Sequence, residues 1–372
     1  MKRKLEVLDA LRGFCAIVVV ALHFSENYIR SLGYAIIPHG LLPVEYFLML
    51  TGFTFVYAYD GRWGEMTVGQ FFKRRLVRMH PLVVVGSVIG ALCFLIIPEQ
   101  YAGWIPGGHL SLGGLLLLTL WCCTLLPAPS ALGWCHMHPL QGPLWTMFYI
   151  YLANVLYAFV LRHLKTVTLA VLMVAAAGYS YFVSHVNGGY HAGPNWRWTY
   201  LFEDGRRIVW WGCCGALART LFPVLAGMVI ARKGWKIKTG SAGLWICVAV
   251  LSVIFFMPDF RPNTALEGFV SAALVMIGMP FVFLCGIGGE IRNAKLASVC
   301  RALGRFSFPL YATHYPLTLM ERAWANAHPD APVAMHLAVV GAFAAFAAIN
   351  AFAAMRLTDW FAGKVSARSS AA

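Results

Sequence analysis

The sequence predicts an all-α polytopic membrane protein of about ten transmembrane helices plus a re-entrant segment. Three observations predict it. Of 372 residues, 60% are hydrophobic and only 12% charged, with a mean hydropathy of +0.68. One soluble core of this length cannot conceal that much apolar surface. Apolar runs long enough to enter a bilayer recur along the chain. The Lys and Arg that give a net charge of +14 cluster in short segments between those runs. Cytoplasmic loops of membrane proteins have that pattern, which argues against a nucleic-acid partner.

Roughly eleven apolar stretches are visible in order. The first, near 7–26, follows "MKRK" and imitates a signal peptide. Asp9 and Arg12 interrupt the expected apolar region, and no small-x-small site precedes "HFSENY", so a retained helix is expected. The stretches near 41–59 and 81–98 flank the basic segment "RWGEMTVGQFFKRRLVR". The stretch 110–126 is short and lies between "PGGH" and "PAPS", with no Lys or Arg in either flank. Stretches 143–161 and 167–185 are separated by "RHLK". The longest polar interruption, about 187–211, precedes 212–231. "ARKGWKIK" then leads into 242–257, and 266–288 is followed by "EIRNAKLASVCRALGR". The last two stretches are 305–324 and 333–355.

If all eleven crossed, "RHLK", "ARKGWKIK" and "EIRNAKLASVCRALGR" would all face outward, against the positive-inside rule. Making 110–126 a buried re-entrant segment repairs all three. That gives ten spans, both termini in the cytoplasm, an extracytoplasmic 187–211, and a single membrane domain over 1–372 with no appended soluble domain. Irregular backbone at membrane depth is tolerated where it lines a cavity, so a re-entrant segment itself points to one. The ten Cys, including Cys15, Cys93 and Cys285, lie mostly inside apolar runs and read as small apolar residues rather than disulfide or zinc ligands.

Polar residues within the first span demand a reason, because they are costly in hydrocarbon. Arg12 and His23 are eleven positions apart, ~1100° of helix or three turns plus ~20°, so they share one face about 16 Å apart. A cation at a cavity mouth with an imidazole deeper inside suits a long anionic donor. Imidazole is the natural general base at neutral pH. The competing reading pairs Asp9 with Arg12 at i, i+3 as an interface anchor and leaves His23 at the outer boundary. "CHMHP" (Cys135, His136, His138) has too few ligands for a metal site, and no metal is expected. Lys73, Arg74, Arg75 and Arg78 exceed what topology needs. They suit phosphate binding, although the run taken alone favours a topology signal with anionic-lipid contact.

Five ordered blocks over about 5–360 resemble the membrane-bound acyltransferase family 3, O-acyltransferases that decorate surface polysaccharides and other secreted molecules. "LDALRGFCAIVVVALHF" is similar to its first-helix Arg-x10-His signature, here Arg12 and His23. "PVEYFLMLTGFTFVYAY" resembles the second-helix block, with Glu45 as its acidic residue and Thr51 replacing a Ser. "FFKRRLVRMHPL" carries Arg75 and Arg78 in an Arg-x-x-Arg arrangement. "GPLWTMFYIYLANVLY" resembles a mid-chain block containing Trp145, and "LGRFSFPLYATHYPL" a late block with Ser307, Tyr311 and His314. One departure stands out. Many relatives carry Glu five residues after the Trp, where this chain has Ile150, while Ala153 and Asn154 keep the alignment in place.

The resemblance implies an O-acyltransferase of the cell inner membrane that uses acyl-CoA, acetyl-CoA above all, as cytoplasmic co-substrate without a bound cofactor. The acceptor it implies is a hydroxyl of a glycan or another surface or secreted molecule. In that reading Arg75 and Arg78 hold the donor phosphates, Arg12 guides the donor, and His23 is the base. Asp9, Glu45, Thr51, Trp145, Ser307, Tyr311 and His314 are cavity-lining candidates. The non-enzymatic alternative is a transporter or exporter of a small anion or glycan. The absence of weak internal repeats weighs against common transporter folds.

Overall fold

A computed structural model describes residues 5–29, 36–105, 107, 109–129, 134, 136–187, 211–258 and 264–370. The "MKRK" start, Cys135 and nearly all of 187–211 lie outside these residues. The described chain is an assembly of helices: α1 (Glu6–Ile29), α2 (Pro43–Tyr59), α3 (Val68–Ile96), α4 (Leu112–Cys123), α5 (Leu144–Phe159), α6 (Thr166–Asn187) and α7 (Trp211–Lys233). After these come α8 (Gly243–Phe256), α9 (Ala265–Ala273), a π turn (Leu274–Gly278), α10 (Met279–Gly288), α11 (Ala294–Thr313), α12 (Tyr315–Ala327) and α13 (Val333–Ser370). Six segments are long and apolar enough to cross a bilayer: Glu6–Glu26, Val68–Ile96, Thr166–His185, Gly215–Lys233, Ala265–Gly288 and Val333–Lys364. Their outward faces carry exposed Leu95, Val167, Ile277, Leu337 and Ile349, a pattern that only lipid solvates well. The chain is a multi-pass membrane protein.

The third helix corrects an expected boundary. The basic run Lys73–Arg78 lies on α3 itself, which begins at Val68, thirteen residues upstream of where the apolar stretch begins. A capping box explains the early start: Gln70 N–H donates to Thr67 Oγ1 at 3.2 Å, and Thr67 N–H donates to Gln70 Oε1 at 3.0 Å. Pro81 sits inside the helix without ending it, as neighbouring helices in a membrane allow.

The basic segments converge on one end of the bundle. Arg232 donates to Asp60 Oδ2 at 3.0 Å and to the carbonyls of Leu164 and Arg162, joining the ends of α2, α5 and α7. The Arg162 guanidinium covers the Trp63 ring at 3.9 Å. Glu290 N–H donates to Gly240 O at 2.8 Å, and Arg301 reaches Glu6 at 3.2 Å. Arg305 reaches Asp359 at 2.6 Å, bringing α13 to the same end.

Two seams fix the helices around the centre. At the crossing of α2 and α7, a Cβ on Gly52 would fall 1.9 Å from Val224 O, and one on Gly227 would fall 2.0 Å from Met49 O. Only glycine permits that backbone approach. Where α1 crosses α11, a Cβ on Gly304 would fall 2.7 Å from Asp9 Cβ and 3.0 Å from Arg12 Nη2.

The α4 segment also differs from expectation. It is a regular helix of 12 residues, about 18 Å long, capped by the Ser111 hydroxyl. It is not buried: Leu112, Leu116, Leu117 and Leu120 are all exposed, and Leu115, Leu118 and Cys122 face the protein. Helical hydrogen bonding satisfies its backbone internally, so no protein cover is needed. Its far end comes near the His80 side chain, partway along α3. The chain then returns to lie against Gly90, where Leu140 O approaches.

Candidate functional site

The first half of α1, one side of α2 from Val44 to Tyr57, the first half of α3, the first half of α5, the middle of α11 and the end of α13 enclose a cavity of about 1070 Å³. Arg12, Lys73, Arg74, Arg75, Arg78 and Arg305 line it, with Asp9 and Asp359 as the carboxylates. The cavity therefore opens at the basic end of the bundle and carries an excess of positive charge, which concentrates anions. Thr51, Ser307, Ile150 and Tyr311 are also in its wall.

Each cation is held differently. Arg12 Nη2 lies 3.3 Å from Asp9 Oδ1 and donates to Gly304 O, so the i, i+3 pair and the cavity position coexist. Arg78 is within electrostatic range of both Asp9 and Arg12. Arg75 is turned toward α5 and α2: its Nε donates to Asn154 Oδ1 at 2.7 Å, and its guanidinium carbon lies 5.6 Å from the Phe55 ring centre. Thr51 and Ser307 spend their hydroxyls on the carbonyls of Phe47 and Gly304, which leaves their oxygen lone pairs as the polar surface offered.

Tyr311 forms the inner end. Its hydroxyl is 2.8 Å from Thr146 Oγ1 and donates to Pro143 O at 3.2 Å. Phe47 packs edge-on against its ring at 5.7 Å. Beyond it stands His314, fully buried at the break between α11 and α12 and absent from the cavity wall. The sequence resemblance put both Tyr311 and His314 among the cavity-lining candidates. The helix break instead turns the imidazole behind Tyr311, with ring centres 5.9 Å apart. His314 Nδ1 is 3.1 Å from Leu310 O and 2.9 Å from Tyr311 O. Both partners are carbonyls, so Nδ1 carries the proton and Nε2, buried without a hydrogen-bond partner, presents a lone pair.

His23 stacks on His314 at 5.4 Å and meets Tyr315 edge-on at 5.2 Å. It too stands outside the cavity wall. Its Nδ1 faces Glu26 Oε2 at 3.5 Å. Arg12 and His23 thus touch the same neighbour, α11 and its junction with α12, at two depths. From Tyr315 the rings continue to Trp104 at 6.2 Å and His136 at 4.6 Å.

Glu45 and Trp145 do not line the cavity. Glu45, completely buried, takes a two-pronged ion pair from Arg219 of α7, Nε to Oε1 at 2.5 Å and Nη2 to Oε2 at 3.0 Å. The same guanidinium lies 5.4 Å from the Trp145 ring centre. A buried carboxylate in a bilayer needs such a partner, and the pair draws both side chains away from the opening. Sequence reasoning missed Arg219, although a lone Arg within the stretch 212–231 was signal enough. It also passed over Asn154, which it used only to place an alignment.

No group of three or more His, Cys, Asp or Glu side chains that could hold a metal occurs among the described residues. His138, in the connection between α4 and α5, is buried with neither ring nitrogen hydrogen-bonded. Burial, with a smaller push from His136, lowers its pKa to about 3.

Comparison with known proteins adds three findings. The family model described as "Acyltransferase domain" matches residues 5–354. The chain is similar to "Protein 2 in picA locus" of Rhizobium radiobacter, 29% identical over 160 residues, covering 41% of this chain and 80% of that protein. No solved structure matches.

Proposed function

Since the chain belongs to the acyltransferase family whose domain covers residues 5–354, we propose that it is an O-acyltransferase of the cell inner membrane. It moves an acyl group, acetyl by preference, from cytoplasmic acyl-CoA to a hydroxyl of a glycan or another surface or secreted acceptor. The observation that carries the reading is the cation-lined cavity at the basic end, closed by Tyr311 one ring contact short of the His314–His23 stack. The convergence of the basic segments supports a cytoplasmic mouth, ten crossings, a re-entrant α4 and cytoplasmic termini.

In this reading Arg75, Arg78 and Arg12 hold and guide the donor phosphates by charge-assisted hydrogen bonds. The thioester arrives at the cavity floor formed by Tyr311, Thr146 and Met147. To come within reach of His23, the Tyr311 side chain must leave Thr146 and Pro143. His23 takes the proton of the acceptor hydroxyl as that oxygen attacks the thioester carbonyl. The carbon–sulfur bond then breaks, the acyl ester forms, and the proton passes from the imidazolium to the departing thiolate. Glu26 stabilises the imidazolium in between.

The test is transfer of label from acetyl-CoA by purified protein in detergent, with hydrolysis as the background reaction and mass analysis of surface glycans from cells with and without the gene. His23→Ala is expected to abolish transfer and leave coenzyme A binding within two-fold. Retained transfer in that variant, or tight donor binding with no turnover in the unmodified protein, overturns the reading.

A further inference from the structure

Arg75 differs from its neighbours in how it is held. Lys73, Arg74 and Arg78 are exposed, and Arg305 is drawn to Asp359. Arg75 is half-buried, its Nε fixed by Asn154 Oδ1 at 2.7 Å. Asn154 is itself fixed. It is buried, and its Nδ2 donates to Ile150 O at 2.6 Å, so its oxygen is forced toward Arg75. An amide partner orients the guanidinium without cancelling its charge. A carboxylate in the same place would form an ion pair instead.

The position along α5 says which part of a donor Arg75 meets. Asn154, Ile150 and Thr146 are one turn apart on one face. From the level of Asn154 to that of Thr146 is eight residues, about 12 Å. Thr146 bonds Tyr311 at the cavity floor, and Ile150 lies between as an apolar wall. A pantetheine arm is longer than that interval when fully extended, so it spans it with a bend and packs its methyl groups and methylenes on Ile150. Its diphosphate then falls at Arg75 and its sulfur at the floor.

We propose that Asn154 is a positioning residue that holds Arg75 as the fixed anchor for the diphosphate of the donor. This rests on the acyl-CoA reading. The amide removes most of the rotamer freedom that an arginine otherwise loses on binding. It also aims the remaining N–H groups of a fork that matches phosphate oxygens.

The experiment uses the full chain in detergent, titrated calorimetrically with coenzyme A and with 3′-dephospho-coenzyme A. The same protein in nanodiscs with and without phosphatidylglycerol tests a lipid headgroup as the diester source. Asn154→Asp is expected to weaken both nucleotides by the same factor, ten-fold or more. It raises KM for acetyl-CoA while leaving kcat within about two-fold. In an Arg75→Gln background the same substitution adds less than two-fold, because its target is gone. Asn154→Gln keeps the partner neutral but moves the oxygen, so it gives a smaller loss and serves where the Asp variant misfolds. Unchanged nucleotide affinity in Asn154→Asp, an equal loss with and without Arg75, or an effect confined to phosphatidylglycerol overturns the proposal. Failure of the unmodified protein to bind either nucleotide overturns the donor reading beneath it.

Discussion

Replacing Glu45 by Met separates a structural carboxylate from a chemical one. Glu45 is completely buried and Arg219 is 3% exposed, so the variant strands a guanidinium in the protein interior. Two charge-assisted hydrogen bonds disappear, at 2.5 and 3.0 Å, and the carbonyl of Leu41 at 3.0 Å is a weak substitute. Removing one partner of such a pair costs about 3–5 kcal/mol. For a chain of this length each kcal/mol is worth about 1–2 °C, so the apparent Tm is expected to fall by roughly 3–10 °C. The double variant Glu45→Met, Arg219→Met removes both charges and is expected to recover most of that loss, since apolar replacement of a whole buried pair is close to neutral. Tryptophan fluorescence during a thermal ramp in detergent reads the shift, and acetyl-CoA turnover on the same samples reads chemistry. If Glu45→Met melts with the unmodified protein yet loses turnover, the carboxylate serves the reaction and the structural assignment fails.

Gly52→Val is expected to cost about 3 kcal/mol or more and to lower folded yield, because its Cβ has only 1.9 Å to Val224 O. Gly61→Ala, with nothing within 4 Å, is the control, and equal yields for the two refute the seam. His138 is held neutral in the fold with its pKa lowered to about 3, so its contribution is complete above the ordinary value near 6.5 and is lost as pH falls through that window. Acidification to pH 5 is expected to cost about 2 kcal/mol through this group. A His138→Met variant with the same acid sensitivity as the unmodified protein excludes that origin.

Much of the architecture was legible because the bilayer imposes a simple code. Apolar run lengths marked a multi-pass, all-helical chain with six long apolar helices among the described residues, and 110–126 stood out as a short stretch that forms a 12-residue helix. Boundaries were less legible. The apolar stretch was placed from 81, yet Thr67 and Gln70 cap the helix about four turns earlier. The α1 spacing placed Arg12 and His23 on one face, and both do contact α11 and its junction with α12. Periodicity did not mark the break of α11 at His314, whose local signal is Pro316 in the first turn of α12. Glu45 and Arg219 lie far apart in the chain, and no local pattern links them. The Arg75–Asn154 bond likewise exists only once α3 and α5 are side by side.

The separation of Glu45 and Arg219, 174 positions, has a consequence for biogenesis. Ribosomes add about 5–20 residues per second, so α2 waits roughly 9–35 s for its counter-ion to be made. Throughout that interval the carboxyl has no guanidinium, and protonation is the cheap way to stay in lipid. Insertion of α7 then docks two helices and creates an ion pair in one event. A nascent chain stalled before residue 219 carries a polar mark in an otherwise apolar helix, visible to any membrane chaperone or protease that surveys unpaired polar groups.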